Sequence, residues 1–208
     1  MTRVLAGLAL LLTFAALTAR ADDAGVAQRL EQTLAALSSV RADFTQELRR
    51  SETAPVERAA GTFTVKKPGR FRWDYRTPEQ VIVCDGERLW LYDPELEQAT
   101  VKKVREALAQ TPAMILSGES KVSDHYVIHD GGTVGGLQMA VLTPKAANGD
   151  FREVRIGLSG TDLRRLEFVD RLNQRTTIEL THVERNPALK DTLFTFTPPP
   201  GVDVIGAH

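Results

Sequence analysis

The chain has 208 residues, 42% hydrophobic and 25% charged, with 26 basic against 27 acidic side chains and a formal net charge of −1. This is the composition of an ordinary globular protein of one domain, and its Lys and Arg are interspersed with acids, which argues against a nucleic-acid partner. A single cysteine, Cys84, excludes an intrachain disulfide, so stability has to come from burial.

In chain order, Arg3 precedes an apolar run from Val4 to Ala16 and on through Leu17 to Ala21, where Ala19-Arg20-Ala21 has the small-x-small pattern of a signal-peptidase site. The run is shorter than the roughly 20 apolar residues a membrane-spanning helix needs. Residues 1–21 are expected to be a cleaved secretory signal, and residues 22–208 a single exported soluble domain beginning at Asp22. No cysteine stands at that junction to be lipidated. Loss of Arg3 and Arg20 leaves 24 basic against 27 acidic residues, a charge of −3.

Val26, Ala27, Leu30, Leu34 and Leu37 recur at helical spacing after Asp22 and Asp23, which predicts an amphipathic helix ending near Ser38. From Val40 the period becomes two. Val40, Ala42, Phe44, Gln46 and Leu48 share one face of a strand, and Gly61, Phe63 and Val65 repeat the pattern after a loop around Pro55.

Lys66-Lys67-Pro68-Gly69 then leads into the stretch that dominates the sequence. Phe71, Trp73 and Tyr75 point one way, while Arg70, Arg72, Asp74 and Arg76 point the other. The usual explanation of such a strand is a sheet with one face on a packed core and the other in water; the sharper one is a concave sheet whose apolar face lines a cavity. Thr77-Pro78 breaks the run before Val81–Cys84, and Asp85-Gly86 signals a turn before Leu89-Trp90-Leu91-Tyr92, completing a meander. Cys84, inside an apolar run, reads as a small buried hydrophobe rather than a nucleophile.

Glu97–Val101 is expected to be a strand, Val104–Gln110 a short helix, and Ala113–Leu116 an apolar segment restarted by Thr111-Pro112. Five further strand patterns follow: His125–Ile128, Leu137–Leu142, Val154–Leu158, Leu163–Val169 and Thr176–Val183. The tail Leu193–Thr197 runs into Pro198-Pro199-Pro200-Gly201, which no ladder is expected to continue. Roughly ten strands in one domain point to a sandwich or a strongly curled sheet.

Catalytic machinery is hard to find. There is no G-x-S-x-G, H-E-x-x-H, paired cysteines or phosphate loop. His125 and His129 are expected on one face of a strand without a third metal ligand. Gly131–Gly136 reads as a hairpin loop, since no helix follows it. The sequence favours a binding protein over an enzyme, with no cofactor and no metal.

The succession VKKPGRFRW, VIVCDGERLWLYDPELEQATV, TPAMILSG, LTPK and FTFTPPPGVDVI resembles the periplasmic outer-membrane lipoprotein carrier proteins of Gram-negative bacteria, in the right order across essentially the whole chain after residue 21. The resemblance implies a mainly β fold with some helix: an unclosed, strongly curved antiparallel β-barrel with a helical lid over an apolar cavity. It implies a monomeric periplasmic chaperone whose partners are acylated lipoproteins, an inner-membrane lipoprotein-releasing ABC transporter and an outer-membrane lipoprotein receptor. Phe71, Trp73 and Ile82 match cavity-lining positions, and Leu30, Phe44, Phe63, Tyr75, Met114, Ile115 and Leu116 complete the implied acyl-chain site. The lid would comprise Val26–Leu37 and Thr111–Leu116.

Two departures from the family pattern stand out. The usual arginine before the proline, which latches the lid, is Lys67 here, and Ala113 replaces an aromatic found in some members. The alternative is a periplasmic lipid-sensing regulator or a general lipid-binding protein of the same fold, although the regulator typically carries a C-terminal domain for which this chain is not expected to have room.

Overall fold

The computed structural model describes residues 12–104, 115, 116, 118, 120–147 and 149–206. One twelve-stranded sheet organises them, in the order β12-β6-β5-β4-β3-β2-β1-β11-β10-β9-β8-β7. Its first half is a meander of β1 (Ser39–Arg49), β2 (Glu57–Lys66), β3 (Arg70–Thr77), β4 (Glu79–Asp85), β5 (Arg88–Asp93) and β6 (Gln98–Lys103). The second is a meander of β7 (Tyr126–Val134), β8 (Leu137–Pro144), β9 (Phe151–Ser159), β10 (Asp162–Asp170) and β11 (Arg175–Arg185). Antiparallel pairing of β1 with β11 joins them, with Phe44 opposite Leu180 and Gln46 opposite Ile178. Among the described residues β7 and β12 (Asp203–Gly206) are the edges of the sheet, so the curved sheet does not close into a barrel.

The helix α1 runs from Leu12 to Ala35, starting well before the expected Asp22 because no breaker separates the apolar run from the amphipathic stretch. Val26, Leu30, Leu34 and Leu37 are all buried, as their spacing requires. α1 lies against β7 and β8. Midway along it Asp23 accepts the Asp130 amide at 2.6 Å and contacts His129 Nδ1 at 3.1 Å. At its C-terminal end Asn186 caps the helix, its amide donating to the Ala36 carbonyl at 3.1 Å and its oxygen accepting the Ser38 amide at 2.7 Å. The helix therefore lies across the concave side, from the β7 edge to the start of β1.

Several sequence expectations are corrected. In the tail a 3₁₀ turn, η1, occupies Asp191–Phe194. The chain resumes a ladder after its proline run, as β12 pairs parallel to β6, the one parallel pair among the described strands. The tail covers part of the outer face of the aromatic strand, which is therefore less open to water than alternation alone suggests. Asp191 accepts from Lys66 and Arg70 at 2.6 and 2.9 Å, and Phe196 packs on Trp90 and Tyr92 with centroids 5.5 and 5.3 Å apart.

His125 lies in a short helix, α2 (Val122–His125), and does not share a strand with His129. The glycine-rich loop shrinks to Gly135-Gly136, both at positive φ, because β7 extends through Gly131–Val134. Met114, Ala113 and the expected helix Val104–Gln110 beyond Val104 lie outside the described residues.

Candidate binding cavity

The inner face of the sheet is not filled throughout. A cavity of about 350 Å³ opens between its two halves, within the range of roughly 300–1,000 Å³ typical of small-molecule sites. One wall comes from the first meander. Phe63, Trp73, Ile82 and Leu91 stand opposite one another on successive strands β2 to β5, because residues paired across antiparallel strands share a face. Val65, Phe71 and Leu89 form a second row toward the other end of the strands. The facing wall comes from Phe151, Leu166, Phe168, Thr176 and Ile178 on β9, β10 and β11, and Leu116 adds to the lining.

Among the described residues, no charged side chain lines this space. Its principal polar contact is internal, the Tyr75 hydroxyl lying 3.1 Å from Gln46 Oε1, and burial pushes the Tyr75 phenol up to about 12. The aromatic side chains of the wall contact one another. Trp73 stacks obliquely on Phe63 with centroids 4.2 Å apart and meets Phe44 edge-on at 4.9 Å.

Lys67 sits where α1 ends. Its Nζ donates to the Leu34 carbonyl at 2.5 Å, in the last turn of the helix, where carbonyls lack partners and the helix dipole favours a cation. Partial burial holds its pKa below the ordinary lysine range, an effect that Glu31 opposes. A smaller cleft of about 280 Å³ lies over this contact, between α1, Lys67, Ile115, Gly118 and Val122.

A family model described as outer membrane lipoprotein carrier protein LolA matches residues 35–197. The chain belongs to this family. Similar relatives named outer-membrane lipoprotein carrier protein include one from Dechloromonas aromatica, 38% identical over 184 residues and 88% of each chain, and one from Methylococcus capsulatus, 41% identical over 177 residues and 85% of each. An uncharacterized conserved protein from Thermus thermophilus shares the fold, with a TM-score of 0.53 at 12% identity over 88% of this chain and 97% of that one.

Carrier proteins are not an enzyme class. Among the described residues no group of three His, Cys, Asp or Glu side chains is placed to hold a metal ion, and no helix is long and apolar enough to cross a membrane.

Of the residues that the carrier resemblance nominated, Phe63, Phe71, Trp73, Tyr75, Ile82 and Leu116 come together on the cavity wall. Leu30, Phe44 and Ile115 do not. Leu30 is fully buried in the packed core beneath α1. Phe44 lies over Gly61, whose missing side chain makes room for the ring, and it backs Trp73 and Tyr75 instead of facing the void. Ile115 turns to the smaller cleft beside Lys67. Sequence reasoning missed the entire opposite wall. Its strands were recognisable, and the pairs Leu166/Phe168 and Thr176/Ile178 have the period-two spacing of a shared face.

Proposed function

We propose that the protein is a periplasmic carrier that accepts acylated lipoproteins released from the inner membrane, shelters their acyl chains in the sheet cavity and passes them to an outer-membrane receptor. The observation that carries this reading is the uncharged cavity between Trp73 and Phe168, walled by aliphatic and aromatic side chains. Each buried methylene contributes about 0.8 kcal/mol, so an acyl chain of roughly 16 carbons costs on the order of 12 kcal/mol to expose to water. A lipoprotein cannot cross an aqueous compartment with such a chain bare.

Release requires the opposite property, an affinity low enough to let go. A lid that closes over the empty cavity supplies it, because part of the apolar burial is then present without cargo and the net gain on binding falls. Lys67 is the latch in this scheme, its ammonium holding the end of α1 through the Leu34 carbonyl. An inner-membrane lipoprotein-releasing ABC transporter loads the carrier, and residues 1–21 direct export and are removed. The carrier works as a monomer.

The test is to incubate the mature protein with spheroplasts that display a newly made lipoprotein. Acylated cargo should leave as a soluble complex with the carrier while its unacylated variant does not. Equal recovery of the two forms would overturn the reading.

A further inference from the structure

The cavity lining changes character along the strands. On β2 and β3 the inward residues pair as Gly61 with Tyr75, Phe63 with Trp73 and Val65 with Phe71, and the last row continues through Cys84 to Leu89. Gln46 pairs with Ala59, two residues beyond Gly61, and Thr176 pairs with Leu48, two residues further in the same direction. Gln46, Tyr75 and Thr176 therefore gather at one end, while Val65, Phe71 and Leu89 make the other end purely apolar. Tyr75 and Phe71 are four residues apart on one strand, about 13 Å at roughly 3.3 Å per residue. Among the described residues, these three side chains and the Trp73 indole are the ones in the lining that carry a polar atom. Phe44 and Trp73 flank the Tyr75 ring, with centroids 5.0 and 6.3 Å away, and the Tyr75 hydroxyl donates to Gln46 Oε1 at 3.1 Å. With its oxygen so occupied the Gln46 carboxamide keeps two N–H donors. Among the described residues neither these nor the Thr176 hydroxyl has a hydrogen-bond partner.

We propose that Gln46 and Thr176 are specificity-determining residues that recognise the ester carbonyl at the head of an acyl chain, with Tyr75 as the positioning residue that aims the Gln46 carboxamide. This rests on the reading of the cavity as an acyl-chain site, and it sets the direction in which a chain lies: its carbonyl at the Gln46 end and its methyl end toward Phe71 and Leu89. An ester carbonyl is a neutral acceptor, so neutral donors suit it, and either group buried without the other is costly. A free fatty acid would bring a carboxylate instead, and among the described residues no charged side chain lines the cavity to pair with it.

The experiment compares two neutral lipids, monopalmitoylglycerol and its ether analogue hexadecylglycerol, as competitors for a neutral apolar dye, N-phenylnaphthylamine, bound to the mature protein. The two differ in the carbonyl, and the parent should favour the ester by between about twofold and tenfold, the scale of one net hydrogen bond. Gln46→Met and Thr176→Val should each bring the ratio of the two affinities toward one. Tyr75→Phe should lower it as well, and should lower it no further when combined with Gln46→Met, because nothing is then left to aim. A general loss of structure weakens both lipids alike, so the ratio reads the donors and not the fold. Equal affinity of the parent for ester and ether would overturn the proposal and leave the carrier reading standing, and that comparison depends on no variant. An ester preference that persists in both Gln46→Met and Thr176→Val would overturn the roles assigned to them. Binding of neither lipid by the parent would overturn the proposal together with the carrier reading.

Discussion

Replacing Trp73 by glutamate separates a cavity wall from a packed core. The indole makes two close ring contacts, with Phe63 at 4.2 Å and Phe44 at 4.9 Å, and also lines the cavity. Each such pair contributes about 0.5–1.5 kcal/mol beyond the area it buries, so losing both costs about 1–3 kcal/mol in addition to the indole burial that is lost. The introduced carboxylate escapes a large desolvation cost because the cavity can admit water around it. Phe44 is the matched control, 2% exposed and packed over Gly61, where truncation to alanine alone costs about 3–5 kcal/mol and a carboxylate would be buried without a partner. Urea unfolding should therefore find Trp73→Glu folded and moderately destabilised, and Phe44→Glu unfolded. In the spheroplast assay Trp73→Glu should release no acylated cargo, since its carboxylate would have to be dehydrated against an acyl chain. Unfolding of Trp73→Glu together with no acyl-dependent change in tryptophan fluorescence of the parent would refute the cavity assignment.

Four other outcomes are expected. Lys67→Leu removes the donor to Leu34 and should load cargo normally yet pass it on poorly, so loading and handover must be assayed separately; handover equal to the parent would show that Lys67 is not the latch. Burial raises the Tyr75 phenol to about 12, so the unfolded chain, whose tyrosine ionises near 10, releases this proton first; stability should be unaffected below pH about 10 and should fall from there to about 12, and a Tyr75→Phe variant titrated by urea midpoint should lack that component. Cys84 is fully buried with its Sγ 3.1 Å from the Gly69 carbonyl, so a bulky maleimide should react only as fast as the protein opens, and rapid labelling of the native state would contradict this placement. Mass spectrometry of the exported protein should find Asp22 at its N-terminus, and retention of residues 1–21 in a soluble periplasmic form would exclude the signal peptide.

Local pattern carried much of the fold. The stripe Val26, Leu30, Leu34 and Leu37 is legible as a buried helical face because its repeat follows the turn of the backbone, and Phe71, Trp73 and Tyr75 are legible as one face of a strand for the corresponding reason. Asp85-Gly86 and Thr77-Pro78 marked the turns of the meander through local backbone preferences alone. The tail misled, because proline excludes a residue from donating to a ladder but does not prevent the chain from joining one a few residues later, as β12 does beside β6.

The family likeness and the inward set on β3 were thus determined by the sequence by itself, since periodicity states which side chains share a face. What that face meets was decided only in three dimensions. Pairing of Gln46 with Ile178, residues far apart in the chain, brings β10 and β11 round to oppose the aromatic strand, so that Phe168 and Leu166 face Trp73 across a gap. Gly61 makes room for Phe44 behind the wall, while Trp73, two strands from β1, lines the empty space. Alternation is a property of a few consecutive residues, whereas a void is the difference between the volume enclosed by a curved twelve-stranded sheet and the volume of the side chains inside it. That difference depends on every register in the sheet at once, and on where α1 lies across it.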